Sequence, residues 1–240
     1  MKRLIPNLLI DEEKAIKHKK FKYYKYLGDP FNIVKILNDK EIDELIITDL
    51  SAFSDRKVKY ITKLNGTSFM PVCYGGGIRS LNQAQKIMHA GVERIHLNTI
   101  IYSNPEEFLK ILDHLGSSSI VAVLNIKKNF FGKYEYVDSF GKNRIREKIQ
   151  TKLDWLTNNK VSEILINIVN KENSKSGIDR EFIDIIENSD SNNFLINGGL
   201  VKEDLSDLNS FSNISGFVGA NYFFCKGIYD SVLVTYDKRM

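Results

Sequence analysis

The chain has 240 residues, enough for one large domain with a sizeable core. Its 42% hydrophobic and 27% charged residues are ordinary for a soluble globular protein, and a net charge of +4 is too mild to imply nucleic acid. Two distant cysteines, Cys73 and Cys225, suit a reduced cytoplasmic protein better than a disulfide framework or zinc site, and no apolar run approaches a membrane span or a leader.

In chain order, RLIPNLLI (3–10) reads as a first strand and leads into the basic, aromatic stretch 17–29. That stretch reads either as a solvated loop or as a contact for an anionic partner. Asp29-Pro30 opens a helix over 29–42, and ELIITDL (44–50) and FMPVCYG (69–75) follow as strands. Ser80 caps a helix over 80–91, RIHLNT (94–99) is the next strand, and Asn104-Pro105 starts a helix over 104–116. SIVAVLNI (119–126) precedes a hairpin over 129–144 that turns at Phe131-Gly132-Lys133. EILINIV (163–169), NFLING (193–198) and GFVGAN (216–221) complete the set. Eight short runs, apolar almost throughout, suit parallel strands buried on both faces. Alternation with helices predicts an α/β fold, a (β/α)8 TIM barrel over residues 1–240 as a single domain, with an open doubly wound sheet as competitor.

The chain also repeats itself. DELIITDL (43–50) resembles SEILINIV (162–169), YGGGIRS (74–80) resembles INGGLVK (196–202), and ERIHLNT (93–99) matches SGFVGAN (215–221). An offset of about 120 residues makes two related half-barrels. Gly75-Gly76-Gly77 and Gly198-Gly199 each follow a strand, where backbone N–H groups can approach an anion; Ala220 and Asn221 follow the last strand. The bland alternative is that these glycines only make tight turns.

Taken together, KR before an extended strand, LGDP, IDEL, PVCYGGGIR, GVERIHLNT, NPEEF, FGKYE and SEILIN resemble the HisF family, the cyclase subunit of imidazole glycerol phosphate synthase. The likeness runs from Lys2 to about Phe224 and is strongest to a divergent branch that works with a HisH-like glutaminase and a separate amidotransferase on surface sugars. The resemblance implies anion contacts at Gly75, Gly76, Gly77, Asn98, Thr99, Gly198, Gly199, Ala220 and Asn221, and a functional loop lysine at Lys17. It also places the family's two catalytic aspartates on Leu9 and Asn125. Leucine exchanges no proton and an amide has no useful pKa, while each acid or base is worth about 10²–10⁴ in rate. Cyclase turnover is therefore not expected. Asp11 has the parity of Leu9 and is a weak catalytic candidate, but it lies about 6–7 Å further along and reads as a loop-entry residue. The second phosphate loop has drifted to Asn170-Lys171-Glu172-Asn173-Ser174.

At the other strand ends, the family's charged ammonia gate falls on Arg3, Glu44, Arg94 and Glu163, and Glu93 matches a residue facing the glutaminase. The bland reading is a structural ion-pair ring. The expectation is thus a HisF-like subunit that binds a HisH-like glutaminase and passes ammonia to an amidotransferase making acetamidino groups. An authentic cyclase of histidine biosynthesis and a scaffold that only activates the glutaminase are the alternatives. An anionic or phosphorylated small molecule is an expected ligand; nucleic acid, metal and cofactor are not called for, since the four histidines show no metal spacing.

Overall fold

The structure, a computed structural model, describes residues 2–19, 23–172, 174–187, 193–206, 208–227 and 231–236, and for residues 18, 19, 23, 24 and 208 the backbone only. Asn173, at the turn of the drifted phosphate loop, lies outside the described residues.

Eight parallel strands close into a barrel: β1 (Arg3–Asp11), β4 (Leu45–Asp49), β5 (Val72–Gly75), β6 (Arg94–Leu97), β7 (Ile120–Lys128), β9 (Glu163–Ile168), β10 (Asn193–Asn197) and β11 (Ile214–Gly219), with β11 paired back onto β1. Closure needs a stagger. It is visible in β1, whose residues Arg3–Pro6 face β11 while Asn7–Ile10 face β4. Outside run α1 (Pro30–Asp39), α2 (Asp55–Asn65), α3 (Leu81–His89), α4 (Thr99–Ser103), α5 (Pro105–Leu115), α6 (Ile149–Asn158), α7 (Arg180–Glu187) and α8 (Asn221–Phe224). Between β10 and β11 the helix is reduced to 3₁₀ turns over Lys202–Ser206 and Leu208–Ser210. The caps at Asp29, Ser80 and Asn104 act as the sequence suggests, each accepting from the N–H three residues on, and Ser54 does the same for α2.

Strand alternation produces two cores. Leu4, Leu8, Ile47, Tyr74 and Ile95 face the helices, whereas Ile5, Ile46, Cys73, Val121, Val123, Leu165, Leu195 and Val218 fill the barrel interior. The half-barrel repeat survives in backbone detail. Gly76 and Gly77 have φ 122° and 71°, and Gly198 and Gly199 have φ 121° and 85°. A Cβ on Gly76 would sit 1.8 Å from the Asp49 carbonyl oxygen, and one on Gly199 2.2 Å from that of Gly177. Glycine is needed there because one loop backbone packs directly on the next.

One segment departs from the sequence reading and a second follows it. Most of the stretch 17–29 is paired: β2 (Lys14–Lys19) is antiparallel to β1 and to β3 (Tyr23–Gly28). Asp11 is the residue from which the chain enters the turn. It ends β1 opposite Lys14, across a two-residue turn in which Glu12 and Glu13 have φ 46° and 64°. The 129–144 segment does form a hairpin, with β8 (Tyr134–Val137) antiparallel to β7. A two-residue pair, β12 (Cys225–Lys226) and β13 (Ser231–Val232), follows the barrel.

Candidate functional site

Polar side chains gather at both ends of the barrel. At the N-terminal ends of the strands, Arg3, Glu44, Arg94 and Glu163 close a ring. Arg3 Nη1 donates to Glu44 Oε2 at 2.7 Å and Arg3 Nη2 to Glu163 Oε1; Arg94 Nη2 reaches Glu44 Oε1 at 2.5 Å and Arg94 Nη1 reaches Glu163 Oε2 at 2.6 Å. Each carboxylate is thus shared by both guanidiniums, and the four charges sum to zero. Ser215 Oγ adds a bond to Glu163 Oε1 at 2.7 Å. Both glutamates are buried, while Arg3 and Arg94 reach partly to solvent. Directly above lies the apolar interior. Burial pushes the Cys73 thiol up, so it stays neutral as part of that lining. Glu93 is exposed beside Arg94, and Phe69, on the same end, is 89% exposed.

At the opposite mouth the amides dominate. Asn197 Nδ2 donates to Asn167 Oδ1 at 3.0 Å, Asn167 Nδ2 to Asn125 Oδ1 at 3.1 Å, and Asn125 Nδ2 to the Asp138 carbonyl at 2.9 Å. This relay fixes the orientation of the Asn125 carboxamide. Thr48 Oγ1 donates to Asn7 Oδ1 at 2.9 Å. His96 is fully enclosed, with Nε2 3.1 Å from the Ile47 carbonyl, and burial pushes its pKa down to about 4. Its ring explains Gly75: a Cβ there would lie 2.4 Å from the imidazole.

A cavity opens at this mouth on the β1, β9, β10 and β11 side. Leu9, Lys17, Gly198, Gly199, Ala220 and Asn221 all line it, which brings both halves of the second-half anion expectation together with the loop lysine. Gly75, Gly76, Gly77, Asn98 and Thr99 stand elsewhere at the mouth and do not line it. Asn98 Nδ2 is spent on the Val123 carbonyl at 2.9 Å. Asp11 is held at the rim, its Oδ1 3.4 Å from Ser51 Oγ.

Sequence reading passed over two groups. Lys57, on α2, is buried, and its Nζ donates to the carbonyls of Ser51 at 2.6 Å and Gly76 at 3.2 Å, with Asp49 Oδ2 at 3.5 Å. Burial lowers its pKa against the pull of Asp49. Asp49 also accepts from Tyr74 Oη at 2.8 Å, so it organises the loop under Gly76. A lysine in an amphipathic helix gave no signal of this. The second group is Glu172, whose partly buried carboxyl lines the cavity and accepts from Asn167; burial raises its pKa to about 7. Its signal was an acidic residue inside the drifted phosphate loop.

An eight-stranded barrel with a neutral charged ring below, an apolar interior and a polar, glycine-turned mouth is a (β/α)8 protein. Residues 3–228 match the family described as histidine biosynthesis protein, and the chain belongs to that family. It is 33% identical over 242 residues to a Pseudomonas aeruginosa protein provisionally named imidazole glycerol phosphate synthase subunit hisF2, covering 98% of this chain and 95% of the relative. A Leptospira interrogans protein provisionally named subunit HisF is 32% identical over 244 residues, with 99% and 95% covered. Subunit HisF of Blochmanniella pennsylvanica is 30% identical over 186 residues, with 74% and 72% covered. The chain is HisF-like, of the imidazole glycerol phosphate synthase type. Among the described residues no helix is long and apolar enough to cross a membrane, and no group of His, Cys, Asp or Glu could hold a metal ion.

Proposed function

We propose that this HisF-like barrel binds a HisH-like glutaminase at its N-terminal face and conducts ammonia to a separate amidotransferase that converts an acetamido group on a surface sugar to an acetamidino group. The observation that carries the reading is the joint state of the two ends. The ring of Arg3, Glu44, Arg94 and Glu163 stands under an apolar interior, while Leu9 and Asn125 fall where the family resemblance puts the cyclase carboxylates. Ammonia is small and neutral, whereas ammonium entering an apolar interior loses hydration worth several kcal/mol. An apolar interior therefore favours the nucleophilic form. Glu93 and Phe69 give the lower face a charged and an apolar contact for the glutaminase. Phe130 and Phe131, 98% and 83% exposed at the β7–β8 turn, offer the upper face to the amidotransferase.

The names of the relatives favour a second reading, an authentic cyclase of histidine biosynthesis. The test is direct. The barrel with a HisH-like glutaminase is expected to leave the histidine-pathway bisphosphate unconverted and to fail in a cyclase-null strain; efficient turnover or complementation would overturn the proposal. A scaffold that only activates the glutaminase predicts that changes at Arg3 or Glu163 leave ammonia delivery intact, whereas a conduit leaks.

A further inference from the structure

The β7–β8 hairpin and its return build one turn twice. In Asn129-Phe130-Phe131-Gly132-Lys133, Asn129 Oδ1 accepts from the N–H groups of Phe131 and Lys133, both at 3.0 Å, and the Gly132 N–H donates to the Asn129 carbonyl at 3.1 Å. In Asp138-Ser139-Phe140-Gly141-Lys142, Asp138 Oδ1 accepts from Phe140 at 3.2 Å and Lys142 at 2.9 Å, and the Gly141 N–H donates to the Asp138 carbonyl at 2.9 Å. The two glycines have φ 76° and 65°. Each turn, closed by its own Asx side chain, thus carries Phe-Gly-Lys outward. Phe130, Phe131 and Phe140 are 98%, 83% and 61% exposed, and the first two rings meet edge to face at 5.8 Å. The base of the hairpin is bolted down. Tyr134 Oη donates to Asp179 Oδ1 at 2.7 Å, its ring packs on Phe182 at 4.9 Å, and Lys128 pairs with Glu181. The tip is therefore a rigid projection.

The charges around these rings are one-sided. Glu135 pairs with Arg144 and Glu147 with Lys152, and the Asp138 carboxylate is engaged by its own turn and by Asn143. Lys133, Lys142, Arg146 and Lys148 are exposed and make no ion pair among the described residues. A convex tip gives a small molecule no enclosure, so whatever covers it must supply the pocket. We propose that this hairpin docks the amidotransferase on an acidic surface of that partner: Phe130 and Phe131 enter an apolar pocket there, and Lys133, Lys142, Arg146 and Lys148 face carboxylates around it. This deepens the reading of the upper face and rests on it. Rigid presentation favours docking, because no loop has to be ordered on binding. A protein surface fits better than a lipid bilayer. The two turns lie at opposite ends of β8, whose four residues set them about 13 Å apart. A flat bilayer that takes the first tip leaves Phe140 behind, whereas a groove along β8 meets both.

The probe is the purified amidotransferase of the proposed complex, assayed with the full chain, a HisH-like glutaminase, glutamine and an acetamido sugar. Phe130→Ser/Phe131→Ser should weaken amidotransferase binding about 30-fold or more, the scale of a lost interface anchor. Glutamine-driven amidation should fall with it when the barrel is limiting. Ammonium chloride in place of glutamine should restore amidation, since free ammonia needs no docking. Lys133→Glu/Lys142→Glu, which leaves the rings in place, should slow association about tenfold and flatten its dependence on salt. That variant also decides the matter if the phenylalanine variant fails to fold. Parent amidation that the phenylalanine variant matches, or a parent association rate that the lysine variant matches, overturns the inference and leaves the proposed function standing. No glutamine-driven amidation with the parent overturns that function, and the inference with it. Vesicles of equal parts phosphatidylglycerol and phosphatidylcholine are the counter-probe. If the parent sediments with them and Phe130→Ser/Phe131→Ser does not, the tip is a membrane anchor and the docking is overturned.

Discussion

Replacing Glu163 with glutamine tests the ring where it is most connected. Glu163 accepts from Arg3, from Arg94 at 2.6 Å and from Ser215 at 2.7 Å, with a side chain 6% exposed. Glutamine keeps the shape and one acceptor oxygen but turns an NH2 toward a guanidinium, and the ring becomes a net cation. A charge-assisted hydrogen bond is worth about 1.5–3 kcal/mol, and breaking a buried pair costs about 3–5 kcal/mol. Partial solvent access at Arg3 (30%) and Arg94 (16%) moves the cost to the low end. We take about 3 kcal/mol, which for a chain of this size lowers Tm by about 6–12 °C. Thermal unfolding followed by circular dichroism reads the shift. The double variant Arg3→Met/Glu163→Gln should lose less than the sum of its parts, by on the order of 1 kcal/mol or more, because Arg94 and Glu44 remain as a neutral pair. A Tm change under about 2 °C, or strict additivity, would show the ring to be worth no more than surface ion pairs, and the argument for a coupled, buried ring would fail.

Leu9→Asp/Asn125→Asp should not create cyclase turnover, and Asn125→Asp alone should cost about 1–3 kcal/mol in urea unfolding, since its carboxylate would face the Asp138 carbonyl now 2.9 Å from an N–H donor. Gly76→Ala should leave little folded protein in soluble expression, because the new methyl lands 1.8 Å from the Asp49 carbonyl at φ 122°. His96 and Glu172 tilt stability in opposite directions. His96, lowered from 6.5 to about 4, favours the folded state fully above pH 6.5 and loses about 3 kcal/mol as pH falls through 4, so acid unfolding should flatten in His96→Gln. Glu172, raised from 4.5 to about 7, contributes its full share below pH 4.5 and loses it as pH rises through 7, so Glu172→Gln should gain up to about 3 kcal/mol over the parent at pH 8 and little near pH 4.5.

The barrel was legible because its signals are local and repeated. Each parallel strand is buried on both faces and so reads as an unbroken apolar run, and Asp29, Ser80 and Asn104 announce helices by their own side-chain chemistry. The β1–β2 turn was not legible. Its two positive-φ residues are Glu12 and Glu13 rather than Asn-Gly. Tertiary contacts hold them instead: Arg56 Nε to Glu13 at 2.8 Å, and the Glu12 N–H to Ser51 Oγ at 3.0 Å. Lys57 was hidden for the same reason, since only the folded loops bring the Ser51 and Gly76 carbonyls to its Nζ. The glycine runs were seen but half-explained: Gly75, Gly76 and Gly199 are required by the His96 ring and by backbone contact.

The amides at the mouth are better understood as a surface in their own right than as remnants. A carboxylate pair at positions 9 and 125 would draw a proton onto arriving ammonia and hold the resulting ammonium by charge, which suits a barrel that consumes ammonia on the spot. Asn125, Asn167 and Asn197 spend their donors on one another and on the Asp138 carbonyl, and Leu9 offers nothing. Such a wall gives ammonia only neutral hydrogen-bond partners, worth about 0.5–1.5 kcal/mol net each, against several kcal/mol for a trapped ion pair. Glu172, the carboxyl in the cavity wall, is kept largely neutral below about pH 7 by its burial. On the proposed reading, replacing the aspartates would do more than stop a cyclase: it would lower the barrier for ammonia to leave the barrel uncharged, the state in which it can still attack an acceptor.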